Sequence, residues 1–429
     1  MVRRIAFWCL GGLAVTVAVI AIGWRSTGEP ARPRVILLGL DGAGWNTAGP
    51  LLEAGDLPNL KALIAEGCSG SLASMSPVVS PRIWTSIATG KTPRKHGILQ
   101  FTYKTPGGSK APVHRGLRRC KAVWNILSER GVKVTVVNWW ATWPAEQVNG
   151  IMVSDRLRFG ASRKYPACTL VQPKELMQEL NTHIKKVDGT FDREGRSAGF
   201  PVDWLREGAV RDPLFQEMRR MFPMYYAHES TVRSVGLATL GHDFDFYAIV
   251  FRMIDVSSHC LQYQLDLDRL PQMSAQERDL AFMRTIRPAW LFCDELIGKF
   301  RERNPRATYI LVSDHGFCYQ DRHFGHESSE TGPAPGIFVG SGGAFMKGAR
   351  VDGASILDIT PTILRLYGLA AANDMDGRSL DSALDLGRLP PLSAEAPQSY
   401  DQGWKNETDT GGATETEVMQ DLKALGYIQ

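Results

Sequence analysis

Three apolar runs end in or just before an aspartate: Leu37-Leu38-Gly39-Leu40-Asp41, Phe251-Arg252-Met253-Ile254-Asp255 and Leu311-Val312-Ser313-Asp314-His315. In an open α/β sheet the ligand crevice lies beyond the carboxyl ends of the strands, so these three carboxylates are placed to converge there. One aspartate in such a position is as readily a helix cap or a turn residue. Three of them with histidines close by point to chemistry. His259 follows Asp255 by four positions, which puts both on one face of a helix that begins at Asp255. Asp314 and His315 are adjacent before Gly316, and Gly325-His326 supplies a further imidazole in a glycine-containing loop. Mixed carboxylate and imidazole ligands suit zinc, with manganese or iron as alternatives, whereas calcium and magnesium prefer oxygen alone. Six such side chains can hold two divalent metal ions with three ligands each. His323 competes with His326 for the same place, and His315 taken alone is equally a loop cap.

The second chemical feature is Ser80-Pro81-Arg82, which enters a short helical pattern after a loop holding Ser76 and Pro77. A helix N-terminus presents unpaired amide donors and a partial positive charge, and so stabilises a phosphate or an oxyanion. The plain structural reading makes Ser80 the N-cap, with Pro81 in the first helical position. A capping serine can also be a nucleophile, so Ser80 is the candidate catalytic residue; Arg82 is a candidate substrate contact or, equally, an exposed salt-bridging arginine. Thr85 and Ser86 fall inside the helix.

These residues need rigid elements to hold them. Apolar runs of strand length occur at Val35–Leu40, Val132–Val137, Phe246–Ile254, Tyr309–Val312 and Gly336–Val339, without strict alternation. Such runs suit strands buried on both faces. Helical patterns lie between them, at Asn59–Glu66, Ala122–Glu129, Ser274–Arg303 and Ile356–Leu366. The expected fold class is therefore α/β, with a mostly parallel central sheet flanked by helices. Residues 156–224 are more polar and break the alternation, which predicts an inserted cap. A catalytic domain over 31–393 and a polar linker and tail over 394–429 complete the body.

The chain has 429 residues, 44% hydrophobic and 22% charged, an ordinary globular composition. Its net charge of +4 includes Arg3, Arg4 and Arg25. Without these the body is nearly neutral, and no nucleic-acid-binding surface is evident. Residues 1–30 form a separate module: Ile5 to Trp24 carry no charge and would span a bilayer as a helix. The expectation is an N-terminal membrane helix with the catalytic domain exported to the periplasmic or extracellular side. Secretion after signal cleavage is the alternative. The six cysteines of the body include no Cys-x-x-Cys pair, so a thiolate zinc site is not expected.

As an ordered set, Asp41-Gly42, Ser80, Thr89-Gly90, Pro93-x-x-His96-Gly97, Asp255-x-x-x-His259, Asp314-His315-Gly316 and Gly325-His326 resembles the type I phosphodiesterase/nucleotide pyrophosphatase branch of the alkaline phosphatase superfamily. The resemblance covers residues 34–385, with Asp358-x-x-Pro361-Thr362 and Asp376-Gly377 near its end. It implies that Asp41, Ser80, Asp314 and His315 surround one metal, and that Asp255, His259 and His326 surround the other. It further implies a hydrolase of anionic phosphate esters, with two divalent ions, zinc foremost. The family nucleophile is usually threonine, followed three residues later by asparagine; here those positions hold Ser80 and Ile83. The sulfatase pattern (Cys/Ser)-x-Pro-x-Arg is absent around Ser80. A transferase passing the same group to a glycan or lipid alcohol, and a phosphomonoesterase or sulfatase-like hydrolase, stay as alternatives. Two divalent ions set against three aspartates leave a site charge of about +1, which suits a singly charged diester.

Overall fold

The computed structural model describes residues 32–157, 166–185, 191–207, 213–262, 265, 269–320, 323–328, 330–405, 419–420 and 422–423. Nine strands form the central sheet: β1 Val35–Leu40, β2 Gly67–Ala73, β3 Val134–Trp139, β4 Gly150–Ser154, β5 Val171–Gln172, β6 Phe246–Phe251, β7 Thr308–Val312, β8 Gly336–Ser341 and β9 Arg350–Ser355. Their order is β9-β2-β8-β7-β1-β6-β3-β4-β5. β1 lies at the centre and pairs in parallel with β6 and β7. β3 is parallel to β6 and β4, while β8 runs antiparallel to β7 and β2, and β5 to β4. The sheet is thus mixed and mostly parallel, as expected for α/β architecture.

β1, β3, β6, β7 and β8 are apolar because both of their faces are covered. The main helices around the sheet are α1 Trp45–Ala54, α2 Pro58–Glu66, α3 Ser80–Thr89, α4 Val123–Glu129, α5 Pro213–Thr239, α6 Met253–Leu261, α7 Ala275–Arg303 and α8 Ile359–Leu366. A Cβ on Gly39 of β1 would meet Trp84 of α3, and Val250 of β6 faces the same way. Ile249, one residue earlier in β6, instead meets Gly236 of α5. Successive strand residues point to opposite faces, so α3 and α5 cover opposite sides of the sheet.

Several boundaries differ from the sequence reading. The run expected as one strand to Ile254 ends at Phe251, and α6 begins at Met253. β3 starts two residues later than expected and continues to Trp139. β2, β4, β5 and β9 were not expected as strands. β2 and β9 are rich in Gly and Ser or half exposed and β5 is two residues long, so these carry no apolar run, while the apolar part of β4 is only Ile151–Val153. Ser274 caps α7 in a reciprocal capping box with Glu277. Part of the polar C-terminal stretch is tied down: Asp401 accepts from Lys91 Nζ at 2.6 Å and from the Lys121 amide at 2.8 Å.

The expectation of an N-terminal membrane helix is corrected. Among the described residues no helix is long and apolar enough to cross a membrane. The run Ile5 to Trp24 that suggested one lies outside the described residues. The membrane anchor, the membrane as a partner and the membrane-bound location rested on that apolar run alone, and no described helix supports them. Cys68, Cys120, Cys168, Cys260, Cys293 and Cys318 are all free thiols, four of them buried.

Candidate metal centre

The three aspartates reach one point by different routes. Asp41 follows β1 directly, and its amide donates to the Phe251 carbonyl at the end of β6. Asp314 and His315 follow β7. Asp255 lies in the first turn of α6, and its amide donates to the Asp41 carbonyl at 3.1 Å. Gly42 permits this approach. It holds φ +79°, and a Cβ there would stand 2.9 Å from Asp255 Cα. Ser313 secures the next turn: its hydroxyl accepts from the Ala43 amide at 2.9 Å and donates to the His315 carbonyl at 2.6 Å.

The side chains form two sets around His315. His315 Nε2 lies 3.4 Å from Asp41 Oδ1 and 3.4 Å from Asp314 Oδ2. It also lies 3.9 Å from Asp255 Oδ1. One set is Asp41, Asp314 and His315; the other is Asp255, His315 and His326. His259 joins the second, with Nε2 at 3.5 Å from Asp255 Oδ1 and 2.9 Å from His326 Nε2. Phe317 packs its ring against His259, His315 and His326. Of the two competing imidazoles, His326 points into this cluster. His323 lies at the start of a short strand paired with Cys318–Gln320.

The electrostatics favour positive charge here. Burial, together with the charge of Asp255, raises the Asp41 carboxyl above its usual range. Burial and the charge of Asp41 raise Asp314 well above it. At Asp255 burial pushes upward but His259 and His326 outweigh it, holding the carboxyl well below its ordinary value. Burial opposes protonation of His315, yet Asp314, Asp41 and Asp255 carry it up to about 10. His326 moves the other way, to about 3, through burial and the nearby His315.

The fit to metal is testable on the polar atoms themselves. Asp41 Oδ1, Asp314 Oδ2 and His315 Nε2 are buried and have no hydrogen-bond partner among the described residues. Buried polar atoms are seldom left so, and each such group needs an explanation. The His315 Nδ1–H can donate to the Gly316 carbonyl at 3.0 Å, which leaves Nε2 facing the two carboxylates, where a bound cation would take the place of its proton. Two carboxylate oxygens, each 3.4 Å from one imidazole nitrogen and all three within 4.8 Å of one another, form a donor set of the type that binds a divalent transition ion.

Ser80 is the first residue of α3, not its cap. Val79 takes the cap position and offers no side-chain bond to the first-turn amides. Ser80 and Trp84 share a helix face by their spacing of four, and Trp84 Nε1 donates to Asp41 Oδ2 at 3.0 Å. Trp140 Nε1 donates to the same oxygen at 3.1 Å. Sequence reading missed both indoles. Arg82, half-buried in the first turn of α3, has a buried Nε with no partner among the described residues. His96 does not enter the centre: Nδ1 accepts from the Ile98 amide and Nε2 lies 2.9 Å from Ser86 Oγ, pinning the far end of α3.

Comparison with known proteins places this geometry in a family. Residues 35–323 match the type I phosphodiesterase / nucleotide pyrophosphatase family. A 2,3-bisphosphoglycerate-independent phosphoglycerate mutase of Cereibacter sphaeroides is 33% identical over 145 residues, 30% of this chain and 27% of the mutase. Another from Gloeobacter violaceus is 35% identical over 97 residues, 20% of this chain and 18% of the mutase. The chain therefore matches only about a quarter or less of the length of these relatives. Among solved structures, a phosphonate monoester hydrolase from Silicibacter pomeroyi aligns with TM-score 0.47 and 13% identity, over 84% of this chain and 78% of that one. Phosphonoacetate hydrolase from Sinorhizobium meliloti aligns with TM-score 0.40 and 15% identity, over 70% and 59%. With the ordered motifs, the two candidate metal-ligating sets and a match running from the first strand past Asp314 and His315, this chain belongs to the type I phosphodiesterase / nucleotide pyrophosphatase family.

Proposed function

We propose that this protein hydrolyses phosphodiesters with Ser80 as nucleophile, beside two divalent ions held by Asp41, Asp314 and His315 and by Asp255, His259 and His326. Zinc is the ion this mixture of oxygen and nitrogen donors suits best, ahead of manganese or iron. The observation that carries the reading is the convergence of Asp41 Oδ1, Asp314 Oδ2 and His315 Nε2, buried and without hydrogen-bond partners among the described residues. When bound, the ions supply Lewis-acid charge that favours the ionised serine and neutralises the phosphoryl oxygens.

The chain's own groups do the rest. Ser80 Oγ, its proton lost to solvent, attacks phosphorus; the bond from phosphorus to the leaving oxygen breaks with the electron pair staying on that oxygen, and a phosphoryl ester of Ser80 forms. Water then cleaves that ester and restores the hydroxyl. The uncapped first-turn amides of α3 and the Arg82 guanidinium face the charge that develops on phosphate. Phe317 walls the imidazoles and limits water on that side. Before Ser80 ionises, the site charge of about +1 that two divalent ions leave over three aspartates matches one negative charge on a diester.

The test compares kcat/KM for an aryl phosphodiester, the matching monoester and the matching sulfate, all releasing the same phenol, with zinc and again with manganese. The diester is expected to be fastest. A monoester preferred tenfold, about 1.4 kcal/mol of transition-state binding, would overturn the substrate class.

A further inference from the structure

We propose that Trp84 and Trp140 are positioning residues that fix Asp41 as a ligand through one oxygen only; the inference rests on the two-metal reading above. Both indole N–H groups donate to Asp41 Oδ2, at 3.0 and 3.1 Å. A carboxylate oxygen holding two donors has its hydrogen-bonding directions largely filled. The other oxygen, Oδ1, is buried and lacks a hydrogen-bond partner among the described residues, and it is the one that faces His315 at 3.4 Å. The two indoles thus divide the labour of one carboxylate: Oδ2 belongs to the protein, and Oδ1 is turned toward the metal position. Partners of this kind orient a ligand and set its basicity.

The fold makes room for this arrangement at two places. A Cβ on Gly39 would lie 2.6 Å from Trp84 Cη2, so the bare glycine backbone of β1 is what admits the indole beneath Asp41. At the end of β3, Asn138 and Ala141 hold φ of 55° and 57°, a region non-glycine residues seldom occupy, and the pairing with β4 shifts register between Val137 and Trp139. Consecutive strand residues point to opposite faces. The distortion lets Trp139 and Trp140 act on one site: Trp139 Nε1 donates to the Trp84 carbonyl at 2.9 Å while Trp140 reaches Asp41. Trp84 also stands one turn from Ser80, so the helix that carries the nucleophile and the carboxylate of the first metal set are held in register by one hydrogen bond.

The test titrates metal-free full-length protein with Zn2+ against a chelator, for wild type, Trp84→Phe, Trp140→Phe and the double variant, with thermal melts to follow the fold. Phenylalanine keeps an aromatic ring and removes the N–H. Each single variant is expected to weaken one of the two sites by about tenfold or more, with the other site within about twofold of wild type and the double variant weaker still. Wild-type affinity at both sites in both single variants would overturn the proposal, as would parallel weakening of both sites, which marks general loss of packing. If Trp84→Phe does not fold, Trp140→Phe decides by the same criteria. A wild type that binds fewer than two ions would refute the two-metal reading and this inference with it, whereas two ions bound unchanged by the variants would refute only the role of the indoles.

Discussion

His259 Nε2 and His326 Nε2 stand 2.9 Å apart, and each lies 3.5 Å from Asp255 Oδ1. Ligand bonds of about 2.0–2.2 Å in a tetrahedral zinc site put neighbouring donors about 3.3 Å from one another. The triangle made by these three atoms is close to one face of such a tetrahedron. The two histidines come from α6 and from the loop after β7, 67 positions apart in the chain, and their rings pack edge to face at 4.8 Å.

His326→Ala is therefore expected to lower the metal content of purified protein from two ions to one, while His323→Ala leaves it at two. Elemental analysis after reconstitution with zinc measures both. Depletion by His323→Ala and not by His326→Ala would reverse the assignment of the third imidazole.

Much of this centre was legible in the sequence, for a physical reason. β1 and β7 are buried on both faces, so they read as apolar runs, and the polar residues that end them are conspicuous; Asp41, Asp314 and His315 stand out on that ground alone. Asp255 was legible for a different reason than its position suggested. The strand stops at Phe251, and the carboxylate is delivered by α6, whose spacing of four brings His259 to the same face. Trp84 and Trp140 were not legible. An indole in an apolar stretch carries no mark of what its N–H meets, and Trp140 reaches Asp41 only because the backbone at Asn138 and Ala141 leaves the usual strand geometry. The strands β2 and β9 escaped because Gly and Ser at half-exposed positions leave no apolar period.

Arg82 supplies a second check on the substrate side. Its Nε is buried without a partner among the described residues, and burial lowers the guanidinium below its ordinary value. Hydrogen bonds to charged groups contribute about 1.5–3 kcal/mol, so Arg82→Ala is expected to reduce kcat/KM for a diester by roughly 10- to 100-fold with metal content unchanged. Steady-state kinetics beside elemental analysis gives both numbers. An unchanged kcat/KM would remove Arg82 from the substrate site.

His96 governs a stability limb. Burial, with Arg118 and Arg82 nearby, drives its pKa from the ordinary 6.5 to about 3. The unfolded chain takes up this proton as pH falls below about 6.5, and the folded chain resists until about 3. Stability from this group is thus fully present above 6.5 and declines as pH falls toward 3, by a few kcal/mol in order of magnitude. His96→Gln is expected to flatten that limb in denaturant melts between these pH values. A limb as steep as wild type would locate the effect elsewhere.

Gly42→Ala tests the close approach of the two metal-bearing turns. The new methyl group would meet Asp255 Cα at 2.9 Å in a backbone held at φ +79°, which places the cost at about 1–3 kcal/mol. A lowered melting temperature together with weaker binding at the Asp255 set is the expected result. Wild-type stability and metal affinity would show that the turn relaxes freely.

The most direct measurement is the turnover of an aryl phosphodiester by metal-reconstituted Ser80→Ala beside wild type, with metal content determined on the same samples. Ser80 starts α3, and Trp84 one turn later ties that helix to Asp41. Removal of the hydroxyl takes away the attacking atom and leaves every imidazole and carboxylate ligand in place. The account predicts a loss of turnover of about 1,000-fold or more, some 4 kcal/mol of barrier, with two ions still bound. Wild-type turnover by Ser80→Ala with both ions bound would contradict it and leave Ser80 as no more than the first residue of a helix.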